Sequence, residues 1–524
     1  MGSRNRAGRR RRKSGPCGPC DNSDKIPLLP NTGWAGRVSG VMGEHARTVQ
    51  EYIDETPNWA DGTVVPKAPM TAMQWRIWGL ATAGKFFEGL VVFMTGVALP
   101  LIVREFGIGA AEKGLVGAAS LFGILIGATA LGGLSDTFGR KAMFIVEMAL
   151  FTVFLVAVAF APSFPVLVVC LFGMGLALGC DYPTAHVVIS ESIPSHDRGR
   201  LVLGAFAFQA VGALAGTLIG FMILKSSEEI YDWRLMYGLA ILPAVVVTIG
   251  RFFVCQSGHW LMTQGRVEEA ERETEKLLRR DPMYPKKVTL RKVEDTDKLD
   301  KSPGFAKLFE KKHRRATILA SVPWFLQDLG TYGIGIFTPT ILAATIGATS
   351  SNERNLAEVI HNDMKAAEGA ALIDVLLVVG IVLAVFLVDR LGRIRLQVTG
   401  FIGCAVGLLV AALSTHFTGT MQVVLIFAGF MLFNLMTNLG PNAMTYLLAG
   451  EVFPTKIRGV GAGFAASFAK IGAVLTAFFF PIFLNDLGTA LLLYILAGTS
   501  LLGAVVTWRF GIETTGINLE KLED

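Results

Sequence analysis

Long apolar runs recur along this chain, and they constrain its fold more than any other feature. Each run is about twenty residues or longer, which is the length a helix needs to cross the ~30 Å hydrocarbon core of a bilayer. With 52% hydrophobic and 17% charged residues, the chain holds too many such runs for a soluble core. Strands of a membrane barrel would be about ten residues long and alternating, unlike these runs. We therefore predict an all-α polytopic membrane protein.

The apolar runs predict twelve transmembrane helices in two sets of six. Their approximate bounds are 77–103, 114–134, 142–161, 165–189, 201–224, 234–255, 316–344, 369–388, 395–414, 421–447, 460–484 and 488–510. The predicted regions are a basic, largely disordered tail at 1–73, a six-helix bundle at 74–255, a linker loop at 256–315, a second bundle at 316–512 and a tail at 513–524. Residues 49–53 could form a short amphipathic turn. Because no apolar stretch precedes residue 77, we expect the first span to act as the insertion signal.

The net charge of +6 comes from basic residues placed in loops, so it does not indicate nucleic-acid binding. The N-terminal tail carries the basic run from Arg9 to Lys13, and the linker carries many more lysines and arginines. An excess of these residues marks the cytoplasmic side of a membrane. We therefore predict a multi-pass plasma-membrane protein with both termini in the cytoplasm and with membrane lipid as its surroundings.

One acidic residue lies where lipid makes a charge costly. Asp328 is twelve residues beyond Ala316, about 18 Å into its span and near the midplane. A carboxylate at that depth costs at least ~2.5–3.5 kcal/mol, which indicates a function. Trp324 and Tyr332 lie four residues to either side, on the same helical face. The alternative is that Asp328 pairs with a basic residue and only holds helices together.

The first span carries a similar acid, Glu88, eleven residues beyond Ile77. Lys85 lies one turn earlier and could form an i, i+3 pair with it. A structural pair and a proton carrier therefore both remain open for Glu88. In span four, Pro183 follows Asp181 closely and predicts an interrupted helix, as in the substrate sites of transporters.

Other polar residues inside the predicted spans have less certain roles. We expect Glu147, near the end of its span, to extend to the membrane interface. We expect His186 to be packed or hydrogen-bonded rather than a proton relay. No partner for Asp374 can be identified from the sequence. In span ten, Gly440-Pro441-Asn442 predicts a second helix break.

The second half of the chain repeats loop motifs of the first. Asp136 to Arg140 is echoed by Asp389 to Arg393, and both Glu191 and Glu451 begin the spacing Glu-x-x-Pro-x-x-x-Arg-Gly. Such duplication predicts two pseudo-symmetric bundles. Exposed ion pairs contribute little and can break easily, which suits a gate. We predict a cytoplasmic gate formed by Asp136, Arg140, Glu191, Arg198, Asp389, Arg393, Glu451 and Arg458.

These loops together resemble the signatures of the major facilitator superfamily in both halves. Within it, Gly179-Cys-Asp-Tyr-Pro183, the stretch from Trp324 to Tyr332, Gly440-Pro-Asn442 and Lys470-Ile-Gly-Ala resemble motifs of the phosphate:proton symporters. The sequence departs from that family's pattern at Val91, where the family has an acid, and at Cys180, where it has glycine. The resemblance implies the major facilitator fold. It further implies substrate contacts from Tyr182, Gln209, Trp324, Asp328, Tyr332 and Asn442, with Lys470 as the nearby positive group, and proton handling by Glu88, Asp181 and Asp328.

Elementary electrostatics also favour the binding of an anion together with a proton. An anion about 4 Å from ionised Asp328 would be repelled by ~4 kcal/mol at an effective dielectric of ~20, and protonation removes that repulsion. In the empty site we expect Lys470 to pair with Asp328 or Asp181. The sequence therefore predicts a proton-coupled secondary transporter that imports inorganic phosphate by alternating access.

Two alternatives remain at this stage. The first is a proton-coupled symporter of another small solute, an organic acid or a sugar, on the same fold. The second is a non-transporting membrane receptor or sensor built on a transporter scaffold. An enzyme is not expected, because no nucleophile–base pair, metal cluster or phosphate-binding glycine loop is recognisable, and we expect no cofactor and no metal. We expect a monomer.

Overall fold

The computed structural model describes residues 47–56, 68–131, 134–227, 229–280, 287–291, 305–347, 356–454 and 457–515. The basic run from Arg9 to Lys13 and most of the predicted tail lie outside the described residues. Within them the chain is helical, with one isolated backbone bridge between Arg47 and Leu290. The all-α prediction is confirmed.

The first half contains six long helices and one short one, preceded by a short helix, α1 (Val49–Asp54). The helices are α2 (Ala72–Phe106), α3 (Ala110–Ile126, continued by a π-helical turn at Gly127–Leu131), α4 (Leu134–Phe138), α5 (Arg140–Ala159), α6 (Phe164–Ser192), α7 (Arg198–Ser226) and α8 (Asp232–Phe252). Helices α9 (Gly258–Thr263) and α10 (Val267–Leu278) follow in the linker.

The second half begins after a 3₁₀ turn at Phe305–Phe309. Its helices are α11 (Arg314–Gly347), α12 (Leu356–Leu391), α13 (Arg393–Leu413, followed by a 3₁₀ turn at Ser414–His416), α14 (Thr420–Leu439), α15 (Pro441–Glu451) and α16 (Arg458–Phe510). Helix α16 has 53 residues and passes through a positive φ of 76° at Gly488. At ~1.5 Å per residue it is far longer than a bilayer core, so it forms two crossings.

Ten stretches of the described chain are long and apolar enough to cross a membrane by length and composition. Helix α11 is not among them; it carries Pro323, Gln327, Asp328 and Pro339 along its length. These ten, together with α11 and the division of α16 at Gly488, correspond to the twelve predicted crossings. Large apolar side chains such as Leu242 and Phe386 are exposed on the outer surface, where lipid would cover them.

The two halves meet along three seams, in which α2 packs against α11, α3 against α16 and α7 against α12. At the end opposite the duplicated loops the backbones approach closely. A Cβ atom on Gly96 would lie 2.1 Å from the carbonyl oxygen of Ile336, and one on Gly114 would lie 2.1 Å from that of Phe478. Only glycine allows this contact. The halves are therefore packed directly against each other at this end.

The two proline-containing motifs behave differently. Helix α6 runs without interruption from Phe164 to Ser192, so the predicted break at Pro183 is wrong. Proline removes one hydrogen bond, and the neighbouring turns keep the helix continuous. The break at Gly440 is confirmed: α14 ends at Leu439, and α15 begins with Pro441. Proline is tolerated at that first position, where its missing N–H would have had no helical partner.

The short helix α1 is fixed to the first half and to the linker. Val49, Tyr52 and Ile53 are buried, which confirms the predicted amphipathic turn. Asp54 accepts hydrogen bonds from the backbone N–H (2.7 Å) and the hydroxyl (2.8 Å) of Ser195, in the loop between α6 and α7. The backbone N–H of Thr289 donates to the hydroxyl of Tyr52 at 3.1 Å.

The far end of the linker is fixed to the second half instead. The rings of Phe309 and Phe464 make an edge contact with centroids 5.5 Å apart. The hydroxyl of Thr317 donates to the carbonyl oxygen of Leu308 at 2.7 Å.

Candidate functional site

The centre of the molecule holds a cluster of charged side chains supplied by both halves. Helix α2 places Glu88 there, α11 places Asp328 and Tyr332, and α16 places Lys470. The Lys470 Nζ atom lies 3.3 Å from Oε1 of Glu88 and 3.5 Å from Oδ2 of Asp328, and it donates to the Tyr332 hydroxyl at 2.5 Å. All four residues are buried. One ammonium group therefore lies between an acid of each half.

The two acids of this central cluster are compensated unequally. Glu88 also accepts from Lys85 at 2.5 Å, the predicted i, i+3 pair, and from the Tyr332 hydroxyl at 2.9 Å. Oδ2 of Asp328 accepts no hydrogen bond from the described residues and has Lys470 as its only ion-pair partner there. An acid with few partners in a buried site is the one that a proton stabilises most. Gln209 joins the cluster by donating to the Tyr332 hydroxyl at 3.1 Å.

A second ion pair lies beside the central cluster. Asp181 pairs with Arg251 of α8, a fully buried arginine that also donates to the carbonyl oxygens of Phe144 (2.7 Å) and Leu80 (3.2 Å). Of the two expected partners of Lys470, the structure shows Asp328, whereas Asp181 pairs with Arg251. Sequence reasoning missed Arg251, which lies close to the end of α8.

Two further buried acids lie outside these pairs. Glu147 accepts from the Thr184 hydroxyl at 2.8 Å and is 2% exposed, so the expectation that it extends to the membrane interface is wrong. The reason is that α5 packs against α6, which turns Glu147 towards the core. Asp374 on α12 accepts from the Asn434 side chain at 3.1 Å.

A chain of amide groups borders the central cluster on the side of the second half. Gln327 donates to the Thr331 hydroxyl at 2.7 Å and to Oδ1 of Asn442 at 3.1 Å. Asn442 in turn donates to Oδ1 of Asn438 at 2.6 Å. The helix break at Gly440 starts α15 with Asn442 in its first turn, so that its amide faces α11. Gln327 and Asn438 were not predicted as site residues.

An aromatic residue of α15, Tyr446, reaches across to the first half. Its ring stacks on Phe206 with centroids 4.5 Å apart and makes edge contacts with Tyr182 and Trp324, each at 6.2 Å. Its hydroxyl lies 3.1 Å from Nδ1 of His186, which confirms that this histidine is hydrogen-bonded. Sequence reasoning did not single out Tyr446.

A cavity of about 470 Å³ opens between the halves at the end that carries the duplicated loops. Tyr182, Trp324, Tyr446 and Arg458 contribute to its lining. Glu88 and Asp181 line a separate space of about 20 Å³ that also touches Tyr182 and Tyr446. Of the predicted substrate contacts, only Tyr182 and Trp324 line the large cavity. Asp328, Tyr332 and Lys470 do not line it.

Six of the eight predicted gate residues form two equivalent clusters, each within one half. Arg140 pairs with Asp136 at 2.6 Å and with Glu191 at 3.1 Å. Arg393 pairs with Asp389 at 3.0 Å and with Glu451 at 3.3 Å. Among the described residues no ion pair of these clusters joins the two halves.

The other two predicted gate arginines contact different groups. Arg198 donates to Oε1 of Gln50 in α1 at 3.0 Å, and Arg458 donates to the carbonyl oxygen of Phe453 at 3.2 Å. Glu513 adds a contact that was not predicted: it accepts from the backbone N–H groups of Arg393 (3.0 Å) and Ile394 (3.2 Å) at the start of α13. Partial burial opposes its ionisation, but these donors and Thr515 outweigh that effect and lower the pKa of Glu513.

Comparison with known proteins identifies a family, relatives and solved structures that are similar to this chain. The family described as "Sugar (and other) transporter" matches residues 79–524. A "Putative metabolite transport protein YaaU" of Escherichia coli is 28% identical, over 85% of this chain and 93% of that protein. A "Putative inorganic phosphate transporter C1683.01" of Schizosaccharomyces pombe is also 28% identical, over 87% and 88%. The xylose transporter XylE of Escherichia coli superimposes with a TM-score of 0.69 at 19% identity, over 86% of this chain and all of XylE.

The family match and the superposition on XylE identify a multi-pass membrane transporter with the major facilitator fold rather than an enzyme. The chain belongs to the Sugar (and other) transporter family. The predicted resemblance to that superfamily is confirmed, and relatives named as phosphate transporters occur beside relatives named for other solutes.

Proposed function

We propose that this transporter couples protons to the import of inorganic phosphate by alternating access. The observation that carries the proposal is the position of Lys470 between Glu88 of the first half and Asp328 of the second. A single cation held by two acids is the group for which an entering anion would compete.

The first step is the joint binding of a proton and an anion. The central cluster holds two lysines, Lys85 and Lys470, and two acids, Glu88 and Asp328, so its formal charges cancel. An anion near ionised Asp328 would meet repulsion of about 4 kcal/mol at ~4 Å and an effective dielectric of ~20. Protonating Asp328 removes the repulsion, frees Lys470 for the anion and creates a hydrogen-bond donor. Proton and anion then bind together, which is the requirement for symport.

The second step links binding to movement. The pair between Glu88 on α2 and Lys470 on α16 joins the two halves. An anion that draws Lys470 away from Glu88 weakens this connection and changes the relative stability of the two conformations. Protonation at Glu88 would act in the same direction, with Asp181 and Arg251 beside it.

The third step is substrate contact by neutral donors. Tyr182, Gln209, Trp324, Tyr332 and Asn442 would hold the anion with Asp328 and Lys470. Since Tyr446 lies between the large cavity and the Glu88 side of the cluster, we propose that its ring moves aside when substrate enters. The gate-loop clusters would close the cavity from the cytoplasmic side in the opposite conformation, with both termini in the cytoplasm and the plasma membrane as the location.

A second candidate is proton-coupled symport of another small solute. The amides of Gln327, Asn438 and Asn442 form a polar chain without formal charge, which suits the hydroxyl groups of a sugar. The relative in Escherichia coli named as a metabolite transport protein and the structural likeness to a xylose transporter are compatible with this candidate.

Uptake of radiolabelled phosphate into proteoliposomes with an imposed pH gradient tests the proposal. We expect accumulation when the outside is acidic, and loss of pH-driven accumulation in Asp328→Asn with retention of phosphate exchange. Asp486→Asn, at an exposed position, is the matched control and should transport normally. Xylose and dicarboxylic acids serve as competitors. Accumulation of a competitor without phosphate would favour the second candidate, and pH-driven accumulation by Asp328→Asn would contradict the role of Asp328.

A further inference from the structure

The outer face of α16 carries a stripe of large apolar side chains. Ile471, Leu475 and Phe479 recur at helical spacing and are 39%, 40% and 39% exposed. Half-buried Phe468 and Phe464 continue the stripe towards the end that carries the duplicated loops, and their rings stack with centroids 6.0 Å apart. An exposed apolar stripe on a membrane-spanning helix faces lipid. It therefore marks the side of the second half that borders the bilayer.

The segment before α11 extends this stripe beyond the end of the crossing. The rings of Phe305 and Phe309 make edge contacts with Phe464, with centroids 6.4 Å and 5.5 Å from it. They are nevertheless 62% and 57% exposed. Leu308 between them is buried, and its carbonyl oxygen accepts from the Thr317 hydroxyl at 2.7 Å. Two aromatic rings are thus fixed to the second half on its lipid side and still present most of their surface outwards.

The contacts of the next residues show where this segment lies along the helices. Arg315, at the start of α11, donates to the carbonyl oxygens of Phe510 (3.2 Å) and Gly511, where α16 ends. Trp508, two residues before Phe510, is 74% exposed. Exposed tryptophan at the end of a crossing is typical of the membrane–water interface. These neighbours indicate that the segment lies at the membrane surface.

Basic side chains accompany the two exposed rings along the chain. Residues 305–315 include five lysines and arginines but a single acid, Glu310. Three of the basic side chains are exposed and have no ion-pair partner among the described residues: Lys307, Lys311 and Arg314. Clustered cations directly beside a membrane span attract anionic lipid headgroups. The charge of the segment therefore complements that of an anionic membrane surface.

We propose that the segment from Phe305 to Arg314 is a binding site for an anionic phospholipid of the adjoining leaflet. The rings of Phe305 and Phe309 contact the lipid near its glycerol backbone, and Lys307, Lys311 and Arg314 contact its phosphate. Each basic residue near an anionic surface strengthens association about fivefold, so three of them should favour anionic over zwitterionic lipid at least about tenfold. The site is separate from the central cluster and does not depend on which solute is carried.

Quenching of a fluorophore at position 306 by nitroxide-labelled lipids tests the site, since Ala306 is exposed between the two rings. The six native cysteines are replaced by alanine, and Ala306→Cys carries a nitrobenzoxadiazole dye in phosphatidylcholine nanodiscs. Phosphatidylglycerol with a nitroxide near its glycerol backbone should quench at about one tenth of the concentration needed for phosphatidylcholine with the same label. Lys307→Gln, Lys311→Gln and Arg314→Gln together should abolish this preference. Equal quenching by the two lipids in the parent, or quenching by neither, would overturn the proposal.

A matched variant separates the site from net charge. Arg104→Gln, Lys225→Gln and Lys365→Gln together remove three exposed cations near the opposite ends of their helices, and the preference should remain. If this variant loses the preference as fully as the first, net charge explains the binding and the site is refuted.

Two further measurements identify the ligand as a lipid. Added salt should weaken the preference, because it screens exposed charges, and a preference unaffected by salt would contradict the role of the three cations. Glycerol 3-phosphate, which has the phosphate without acyl chains, should not relieve the quenching. Relief by this soluble compound would mean that the segment binds a free phosphate group and not a lipid. Since no transport is measured, a failure here is distinct from a failure of phosphate uptake.

Discussion

The hydroxyl of Tyr446 lies 3.1 Å from Nδ1 of His186, and this contact joins the second half of the molecule to the first. The stacking of the Tyr446 ring on Phe206 adds a second contact between the halves. Together they place an aromatic side chain between the large cavity and the charged residues behind it. Because Tyr446 lines both the large cavity and the small space that contains Glu88, we expect access to Glu88 to depend on this ring.

Replacing Tyr446 should connect the two spaces. In Tyr446→Ala we expect a cysteine introduced at Ala205, which lines the small space, to react about tenfold faster with a water-soluble thiol reagent, since truncating this half-buried aromatic side chain leaves open space. Tyr446→Phe keeps the ring and should leave the rate nearly unchanged. Equal rates in both variants and the parent would show that the ring is not the barrier.

Removing Lys470 should destabilise the fold more than an ordinary lysine substitution. Lys470→Met leaves two buried acids with less compensation, for which we expect a loss of about 3–5 kcal/mol in the free energy of unfolding. Adding Asp328→Asn should recover part of the loss, because one unpaired charge is then removed. Thermal unfolding of the purified protein measures both effects, with Lys225→Met at an exposed position as the control. A Lys470→Met variant as stable as the control would refute the ion-pair account.

Arg251 should not tolerate lysine. Its guanidinium pairs with Asp181 and donates to two backbone carbonyls, whereas an ammonium on a flexible stem cannot reproduce this planar arrangement. We expect Arg251→Met to cost about 3–5 kcal/mol and Arg251→Lys to fall between it and the parent. Asp181→Asn combined with Arg251→Met should be less damaging than Arg251→Met alone. If Arg251→Lys is as stable as the parent, the positive charge alone explains the contribution of Arg251 to stability.

The backbone N–H groups at the start of α13 should lose protection from hydrogen exchange at acidic pH. The carboxylate of Glu513 accepts from the N–H groups of Arg393 and Ile394, and its lowered pKa means that the contact favours the ionised form. The stabilisation is present above the usual glutamate pKa of about 4.3 and is lost as pH falls through the lowered value. We expect Glu513→Ala to cost about 0.5–2 kcal/mol locally at neutral pH, as other helix caps do.

Hydrogen exchange in the peptide that contains Arg393 and Ile394 measures this effect. The parent protein should show faster exchange at low pH, after correction for the intrinsic pH dependence. Glu513→Ala should show the fast behaviour at all pH values. An unchanged exchange rate in Glu513→Ala would show that Glu513 does not stabilise the start of α13.

The fold could be predicted from the sequence because hydropathy and helix length are local properties, and folding does not change them. Sequence reasoning also placed Asp328 and Glu88 at similar depths, since depth follows from position along a helix. Across helices it anticipated the pairing of Lys470 with Asp328 but not that of Arg251 with Asp181. Arg251 was missed because it lies one residue before the end of α8, where a basic residue is ordinary, and Pro183 was misjudged because neighbouring turns can hold a helix through a single proline. No sequence pattern indicated Tyr446, since its contacts with the first half depend only on where α15 places it.

The linker is attached to a different half of the molecule at each of its two ends. Thr289 and Leu290 are bound to the first half through α1 and the backbone bridge at Arg47, and Phe309 is bound to the second half. Leu290 and Phe305 are fifteen residues apart in the sequence, and at ~3.3–3.6 Å per residue a chain of that length reaches at most about 50 Å. If the halves move relative to each other as proposed, a deletion between these two residues should limit how far they separate. An equal deletion within α9 or α10 should instead damage the packing of the first half.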